Sequence, residues 1–289
     1  MFEQLGLIGC GLMGGSFALA LKKAGLVKRV VGYSKSPSTT ERARQMGVID
    51  VVAPSALLAV AGADIVLIAV PVSASEATFK SIKHLVTAQM LVMDVGSTKC
   101  AVIAAAESGL RDQMGSFVPA HPIAGKELAG VENADPDLYQ HCQVILTPVE
   151  RTLPTQARRA AEVWTALGAR VLQMTPEAHD SAFAAVSHLP HLLAFALMNA
   201  LTEQQRSKEL LALAGPGFRD FSRIAASDPK VWRDIFLTNR DELLRQSRAF
   251  QAALQAFEAL LTSGNAPALE ARIAQASTAR SQWRLNPLD

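Results

Sequence analysis

The sequence predicts an α/β domain built on a parallel sheet, followed by an all-α domain. In the first half of the chain, short apolar runs alternate with helical patterns, which is typical of parallel strands joined by crossover helices. From Pro176 onward the strand signals stop and Ala, Leu, Gln and Arg dominate, which favours helices. We therefore expect one domain over residues 1–175 and a helical domain over residues 176–289, with a boundary near Thr175.

The elements of this fold can be assigned in chain order. Short apolar runs predict strands over Gln4–Ile8, Arg29–Tyr33, Ile65–Val70, Met90–Val95, Phe117–Ala120, Val144–Thr147 and Val171–Met174. The stretches between them predict helices near Leu12–Ala24, Thr39–Met46, Ala74–Leu85, Ala101–Ser108 and Thr155–Leu167. Loop and cap residues interrupt the helical half at Ala214–Gly217 and at Ser227–Pro229.

Composition excludes several classes of protein. Apolar residues make up 49% of the 289 residues and charged residues 19%, so we expect a globular chain with a well-buried core. A net charge of +2 argues against nucleic acid or a membrane surface as the main partner, because both select dense basic patches. The cysteines (Cys10, Cys100 and Cys142) are widely separated and lack metal-ligand spacing, so we expect neither disulfides nor a metal site.

Two segments bear on cellular location. The chain begins Met1-Phe2-Glu3-Gln4, without the basic start and apolar run of a signal peptide. Ser181–Leu201 is long and apolar enough to resemble a membrane span, but it contains His188 and other polar side chains that would be costly in lipid. We interpret this segment as a buried helix or a dimer interface, and we expect a cytoplasmic protein without a membrane partner.

The first predicted strand runs into a glycine-rich turn, Gly9-Cys10-Gly11-Leu12-Met13-Gly14, and then into a helix. Gly9 permits a tight turn, Gly11 lets the backbone approach a pyrophosphate, and Gly14 lets the helix pack closely on the strand. The N–H groups of the helix N-terminus, at Leu12 and Met13, would bind the phosphates. This context predicts a Rossmann-type dinucleotide-binding domain. The alternative is a glycine-rich turn that binds no ligand.

The end of the second predicted strand favours NADP over NAD. NAD-selective sites usually place Asp or Glu about 20 residues after the glycines, to bind the ribose hydroxyls. Here the corresponding position is Ser34, followed by Lys35 and Ser36. A hydroxyl and an ammonium group can bind a 2′-phosphate, so these three residues are candidate cofactor ligands. If they are solvated loop residues instead, either cofactor would be accepted.

Four further motifs carry candidate chemistry. Two of them, Asp94–Lys99 and His121–Gly125, fall at the C-terminal ends of predicted strands, where open α/β sheets build their sites. The helical half contributes Ser187-His188-Leu189-Pro190-His191 and Gly217-Phe218-Arg219-Asp220-Phe221-Ser222-Arg223. Together with the glycine turn, these motifs occur in the order typical of the prephenate/arogenate dehydrogenase family, and the chain resembles that family over nearly its whole length.

The resemblance implies a fold and an activity. It implies a Rossmann-type N-terminal domain, a helical C-terminal domain that forms a homodimer, and a small-molecule substrate between the two domains. The implied reaction is the oxidative decarboxylation of prephenate or arogenate, with hydride transfer to NADP or NAD, in tyrosine biosynthesis. Prephenate and arogenate differ only in a keto group or an ammonium group on the side chain, and no single residue identifies which is preferred.

The resemblance also implies two catalytic residues. His121 resembles the residue that accepts the hydrogen bond, and then the proton, of the ring hydroxyl, a role that suits an imidazole with an ordinary pKa near neutrality. Ser97 resembles the neighbour that positions this histidine, the hydroxyl and the nicotinamide. The alternatives are a loop histidine stiffened by Pro122 and, for Ser97, an N-cap of the helix that begins near Thr98.

Substrate-binding residues are implied in the helical half. Arg223 resembles the clamp on the ring carboxylate, since a guanidinium fork binds a carboxylate bidentately, and Arg219 resembles a second anion ligand. His191 resembles a polar contact to the substrate, and Trp232 resembles an aromatic residue that closes the site. The alternatives for these two are a core histidine and a core tryptophan. His188 is expected to be a satisfied core histidine.

Acidic residues are implied near the site entrance. Glu127 and Asp180 match acidic positions of the family there, with a solvated or helix-capping role as the alternative. Lys126 and Pro216 depart from the family pattern, the first by adding charge near the mouth of the site. Because the glycine turn opens the chain and the helices reach its end, we expect neither a fused chorismate mutase nor a regulatory domain. Any inhibition by tyrosine should then be competitive.

Two other functions stay open at this point. A β-hydroxyacid dehydrogenase or an imine reductase shares the combination of a Rossmann-type and a helical domain, but the first would carry a catalytic lysine in a mid-chain helix, and no convincing candidate is present. A non-catalytic dinucleotide sensor would keep Gly9, Gly11 and Gly14. It would have no need for His121 and Arg223.

Overall fold

The computed structural model describes residues 1–125 and 128–284. Its larger sheet is wholly parallel and contains β1 (Phe2–Ile8), β2 (Val27–Tyr33), β3 (Val51–Val52), β4 (Ile65–Ile68), β5 (Leu91–Asp94) and β6 (Phe117–Val118). The strands lie in the order β3-β2-β1-β4-β5-β6, so the strand order reverses between β1 and β4. Open α/β sheets bind ligands at the carboxyl ends of the strands beside such a reversal.

Five helices connect these strands. They are α1 (Leu12–Lys23), α2 (Pro37–Gln45), α3 (Ala56–Val60), α4 (Ser75–Ile82) and α5 (Lys99–Leu110). The predicted parallel sheet with crossover helices is confirmed. Strand β3 and helix α3 were not predicted, because two and five residues are too few to show a hydrophobic period.

The second sheet corrects the expectation of a single parallel sheet. It contains β7 (Ala120–Pro122), β8 (Gln143–Leu146) and β9 (Arg170–Gln173), with β7 antiparallel to β8 and β8 parallel to β9. Helix α6 (Pro154–Ala166) lies between β8 and β9 in the chain. The predicted strand Phe117–Ala120 is therefore wrong as one element. Pro119 lacks an N–H for a ladder hydrogen bond, and the chain changes sheets at this residue.

Aromatic side chains fill the core on both faces of the larger sheet. Phe17, Tyr139 and Trp164 form one fully buried cluster, in which the rings of Phe17 and Trp164 are 4.9 Å apart. Phe79 and Phe117 belong to the other cluster, with ring centres 5.0 Å apart. The Tyr139 hydroxyl also donates a hydrogen bond to the carbonyl of Met13 (2.6 Å), which fixes the first turn of α1.

After β9 the described residues contain helices and turns and no strand, as predicted. The helices are α7 (Pro176–Phe183), α8 (Leu189–Thr202), α9 (Ser207–Ala212), α10 (Pro216–Ser222), α11 (Pro229–Thr238), α12 (Arg240–Ser263) and α13 (Ala266–Gln282). The chain forms two compact units, one from Met1 to Arg240 and the other from Asp241 onward. Within the second unit, the Arg272 guanidinium lies 5.3 Å from the Phe257 ring centre.

One helical stretch, Pro176–Thr202, is long and apolar enough to cross a membrane by length and composition. It is interrupted by a π-helical turn over Ala184–His188. Its buried polar side chains bond to the sheet side of the protein, since the Asp180 carboxylate accepts a hydrogen bond from the Lys99 N–H (2.7 Å). The segment is therefore part of the folded protein and not a membrane span.

Candidate active site

The glycine turn lies where the strand order of the larger sheet reverses. Gly9 has a φ of +98°, and a Cβ atom there would lie 2.2 Å from the Ala69 carbonyl oxygen. A Cβ atom at Gly14 would lie 2.0 Å from the Gly9 carbonyl oxygen, so helix and turn require glycine at both positions. A Cβ atom at Gly11 would instead meet no atom of the described residues within 4 Å. Beside Gly11 the fold leaves open space.

Helix α1 begins in this open space. Gly11 is its N-cap and supplies no side-chain cap, so the N–H groups at Leu12 and Met13 are available to a ligand. Free N–H groups and the positive end of the helix dipole suit a pyrophosphate. The backbone of this turn therefore fits a dinucleotide, as predicted.

The end of β2 is joined to the glycine turn. The Ser34 hydroxyl oxygen accepts a hydrogen bond from the Cys10 N–H (2.8 Å). Lys35 and Ser36 are exposed, and the Ser36 and Ser38 hydroxyl groups are 2.8 Å apart. Burial raises the pKa of the Cys10 thiol to about 11, so this cysteine is a packing residue and not a nucleophile.

A buried ion pair organises the ends of β5 and β7. The Lys99 ammonium group lies 2.6 Å from the Asp94 carboxylate and donates a second hydrogen bond to the Ala120 carbonyl (2.7 Å). Asp94 also accepts hydrogen bonds from the N–H groups of Gly96 and Ala120. Burial lowers the pKa of Lys99, and the attraction of Asp94 opposes that change. The pair thus fixes the Ser97 loop relative to the backbone just before His121.

His121 lies beside two residues of α7. Its Nδ1 is 2.8 Å from Nε2 of His179, and Nδ1 of His179 is 2.7 Å from an Asp180 carboxylate oxygen. All three side chains are buried, and the Phe183 ring packs against both imidazoles. Burial, and then the proximity of His179 and Lys99, holds the pKa of His121 well below its ordinary value. At neutral pH this imidazole is uncharged and can accept a proton.

Asp180 is not at an entrance but is buried against the start of α5. Its carboxylate accepts hydrogen bonds from the N–H groups of Lys99 (2.7 Å) and Cys100 (3.0 Å). The N-cap residue of α5 is Thr98, whose side chain makes no capping bond, so the cap is supplied from a distant helix. The capping role weighed for Ser97 is wrong. The Ser97 hydroxyl is half-buried and free of hydrogen bonds to the described part of the chain.

Helix α11 joins the helical half to the sheet. The Asp234 carboxylate accepts a hydrogen bond from the Ser73 hydroxyl (2.6 Å), and the Thr238 and Thr98 hydroxyl groups are 3.0 Å apart. The next residue, Asn239, donates to the Asp180 carbonyl (2.7 Å) and to Nδ1 of His188 (3.1 Å). These bonds hold the α7–α8 segment against the strand ends.

His188 is buried but not satisfied, contrary to expectation. Since its Nδ1 accepts from Asn239, its Nε2 carries the proton, and this nitrogen has no hydrogen-bond partner among the described residues. Burial lowers the pKa of His188 to about 4, so the ring is neutral. A buried donor without a partner costs free energy in the absence of a ligand that accepts its proton.

The structure brings His191 and Trp232 together. Their rings stack with centres 3.5 Å apart, and Nδ1 of His191 bonds to the Ser187 carbonyl (2.9 Å). Both residues are partly exposed, so neither is a fully buried core residue. Arg223 is exposed and begins a 3₁₀ turn, Arg223–Ala226, which packs against α8. Helix α8 carries His191.

Of the remaining predicted substrate residues, one lies on the exposed surface and one lies outside the described residues. Arg219 is exposed on α10, with its Nε 3.2 Å from the Asp220 carboxylate. Glu127 and Lys126 lie outside the described residues. Sequence reasoning missed His179 and Asn239. The only local sign of the first was the adjacent His179-Asp180 pair near a helix start, and the second carried no sign, because its partners are far along the chain.

The fold and the site together define a class of protein. A parallel sheet with a glycine turn at its strand reversal, together with a buried neutral imidazole in the strand that follows the sheet, suits a nicotinamide-dinucleotide-dependent oxidoreductase. Family models place the chain within that class. Residues 17–173 match the nucleotide-binding domain of prephenate dehydrogenase, and residues 175–275 match its dimerization domain. The chain belongs to the prephenate dehydrogenase family.

Individual relatives agree with this assignment. Prephenate dehydrogenase of Bacillus subtilis is 36% identical over 84% of this chain and 66% of its own length. Cyclohexadienyl dehydrogenase of Zymomonas mobilis is 33% identical over 91% of this chain and 90% of its own length. The crystal structure of prephenate dehydrogenase from A. aeolicus, with hydroxyphenyl propionate and NAD+, superposes with a TM-score of 0.91 at 34% identity and covers 98% of each chain.

Proposed function

We propose that this protein oxidatively decarboxylates prephenate, arogenate or both, on the route to tyrosine, using NADP or NAD. The observations that carry the proposal are the buried, neutral His121, which contacts His179 of α7, and a glycine turn that fits a dinucleotide. A sensor without catalysis has no need for such an imidazole. Membership of the family disfavours a β-hydroxyacid dehydrogenase, as does the buried Lys99, which is bonded to Asp94 and Ala120 and not presented to a substrate.

The chemistry requires a base, anion ligands and a hydride acceptor. Bound nicotinamide supplies the hydride acceptor. His121 accepts the hydrogen bond of the ring hydroxyl and takes its proton as the hydroxyl-bearing carbon loses hydride. As carbon dioxide leaves, the electrons of the broken C–C bond make the ring aromatic, and His121 returns the proton to the phenol oxygen. No net proton is released, and Ser97 orients the hydroxyl toward His121.

Other residues of the chain bind the two ligands in this proposal. Cofactor contacts come from residues 1–175, at Gly9, Gly11, Leu12, Met13, Gly14, Ser34, Lys35 and Ser36. Substrate contacts come from Glu127 and, within residues 176–289, from His191, Arg219, Arg223 and Trp232.

The assay combines prephenate or arogenate with NADP or NAD and follows the absorbance of reduced nicotinamide. Replacing His121 by Asn should lower kcat by about 100-fold or more, the usual size of a general-base contribution. Arg223→Lys should raise KM by about tenfold, because lysine cannot bind a carboxylate bidentately. Arg158→Lys, at an exposed position of helix α6, is the matched control and should change neither constant. Absence of any signal with all four ligand pairs would overturn the proposal.

The preference for NADP has a separate test. No carboxylate occupies positions 34–36, and in this proposal Ser34 and Lys35 bind the 2′-phosphate of NADP. Ser34→Asp adds a carboxylate that repels this phosphate and bonds to the ribose hydroxyls of NAD. The ratio of kcat/KM for NADP to that for NAD should fall by about tenfold or more. A wild-type preference for NAD that Lys35→Ala leaves unchanged would contradict the assignment.

A homodimer in the cytoplasm completes the proposal. The matching family model is described as a dimerization domain, and large apolar side chains of the helical half are exposed in the single chain, among them Val186, Leu213 and Leu237. A second copy would remove such side chains from water. Sedimentation velocity at micromolar concentration should give a mass twice that of the 30.8 kDa chain. A monomer would refute this part of the proposal.

A further inference from the structure

We propose that His179 and Asp180 are positioning residues that hold His121 in one tautomer, with the proton on Nδ1 and with Nε2 as the bare acceptor. The tautomer itself follows from the contacts and the burial of the protein's own residues. Its catalytic consequence rests on the proposed function, in which Nε2 of His121 receives the proton of the substrate hydroxyl. Neither His179 nor a link from Asp180 to His121 was foreseen from the sequence.

The argument starts at the Asp180 carboxylate. Both of its oxygens accept backbone hydrogen bonds at the start of α5, from Lys99 and Cys100. Burial opposes ionisation of this carboxyl group, but the hydrogen bonds from His179 and the two N–H groups together hold its pKa below 3.8. An ionised carboxylate can only accept. The 2.7 Å contact with Nδ1 of His179 therefore requires the proton to be on Nδ1.

The state of His179 then determines the state of His121. Burial lowers the pKa of His179, so its ring is neutral at pH 7 and holds one proton, on Nδ1. Its Nε2 is consequently an acceptor. The contact of 2.8 Å between this atom and Nδ1 of His121 requires His121 to donate, since two lone pairs cannot face each other at hydrogen-bond distance. His121 therefore presents an unprotonated Nε2.

Packing holds both rings in this arrangement. The Phe183 ring stacks on His179 with centres 4.4 Å apart and lies 4.9 Å from the centre of His121. His179 has no exposed surface, so its ring cannot rotate without disturbing the core. The same carboxylate caps α5, which begins two residues after Ser97. Asp180 thus couples the orientation of the base to the backbone that presents the catalytic serine.

The tautomer can be measured without substrate. Long-range 1H–15N correlation spectra of protein labelled with 15N-histidine distinguish Nδ1–H from Nε2–H rings, and single His-to-Gln variants assign the six histidines. Between pH 7 and 8, His121 and His179 should both be neutral with the proton on Nδ1. In His179→Phe, the fixed tautomer of His121 should give way to a mixture. A wild-type His121 with its proton on Nε2 would overturn the proposal.

Kinetics provide the second test, with a matched pair of variants. His179→Phe keeps the ring and its packing but removes the acceptor, so kcat should fall by about 10- to 100-fold while KM changes less than about threefold. His179→Gln can place an amide oxygen near the lost nitrogen and should recover most of this loss. Full activity in His179→Phe, or equal losses in both variants at equal thermal stability, would overturn the positioning role.

The two tests separate this inference from the proposed function. If wild-type protein turns over none of the substrates, the proposed function fails, but the spectra still decide the tautomer. If His179→Phe does not fold, the His179→Gln spectra decide, because its amide oxygen should preserve the Nδ1–H signal of His121. Loss of that signal in a folded His179→Gln variant would count against the proposal that His179 fixes the tautomer of His121.

Discussion

At the scale of single residues, the glycine turn shows how the same residue type can meet two different requirements. Gly14 has no room for a side chain, because the Gly9 carbonyl lies in the way. Gly11 has room within the protein and a φ of −78°, which any residue can adopt. Stability therefore explains Gly14, and only a ligand explains Gly11.

This difference predicts opposite phenotypes for two alanine variants. Gly11→Ala should leave the free energy of unfolding unchanged within about 0.5 kcal/mol and weaken dinucleotide binding at least tenfold, or about 1.4 kcal/mol. Gly14→Ala should destabilise the protein by about 1–3 kcal/mol. Urea unfolding and titration with reduced cofactor, followed by nicotinamide fluorescence, measure both quantities. Unimpaired dinucleotide binding by Gly11→Ala would contradict the proposal that the pyrophosphate binds at this turn.

The histidines show where residue-level prediction stopped. His121 was expected to follow a strand and to have a pKa near neutrality, whereas it lies within β7 and burial holds its pKa well below that value. Burial depends on what α7 places against the ring, and α7 begins more than 50 residues later. His188 was expected to have all its hydrogen bonds satisfied. That expectation was wrong, because one of its nitrogens faces no partner in the described part of the chain.

At the scale of elements, helix N-termini are capped in two different ways. Asp228 caps its own helix, α11, by accepting hydrogen bonds from the N–H groups of Lys230 and Val231. Helix α5 is capped by Asp180, which belongs to α7. A local cap can be recognised in sequence, as at Ser227-Asp228-Pro229, whereas a cap supplied by a distant helix cannot.

Removing the two caps should have unequal costs. Asp228→Ala removes an exposed local cap and should lower the free energy of unfolding by about 1 kcal/mol. Asp180→Ala leaves three donors without an acceptor, two of them buried, and should lower the free energy of unfolding by more than about 3 kcal/mol. Chemical denaturation of both variants measures the difference. Asp228→Asn, which keeps a capping oxygen, is the control and should resemble the wild type. Equal losses in the free energy of unfolding for the two alanine variants would contradict the capping of α5 by Asp180.

Strand boundaries were the least predictable elements. The run Phe117–Ala120 was predicted as one strand, but Pro119 divides it between the parallel sheet and the mixed sheet. The proline was visible in the sequence, and its consequence was not, because strand pairing depends on which partner edge is near. This division directs the chain away from β6 and brings His121 beside α7.

At the scale of the whole molecule, several buried neutral histidines make stability depend on pH. Burial lowers the pKa values of His121, His179, His188 and His191 below 6.5. In the unfolded chain these rings bind protons as the pH falls through about 6.5, whereas in the native protein they remain unprotonated to a lower pH. Stability should therefore be complete above about pH 7 and be lost progressively below it.

The size of this effect can be stated for His188. A fall in its pKa from 6.5 to about 4 corresponds to about 3 kcal/mol, at about 1.4 kcal/mol per pKa unit, once the pH has reached about 4. Urea unfolding at pH 8, 7, 6 and 5 should show a declining free energy below pH 7. His188→Gln removes one titrating ring and should make the decline shallower. A free energy that stays constant from pH 7 to pH 5 would refute this explanation.

The sequence by itself determined the order of the longer strands and helices and the glycine turn, because each of these depends on neighbours within a few residues, and the resemblance to a family implied the candidate base. Only the tertiary structure decided which nitrogen of His121 is the acceptor, where Asp180 acts and that a second sheet exists. Those properties depend on contacts between residues far apart in the chain, such as His121 with His179 and Lys99 with Asp180. Local patterns carry no information about such distances.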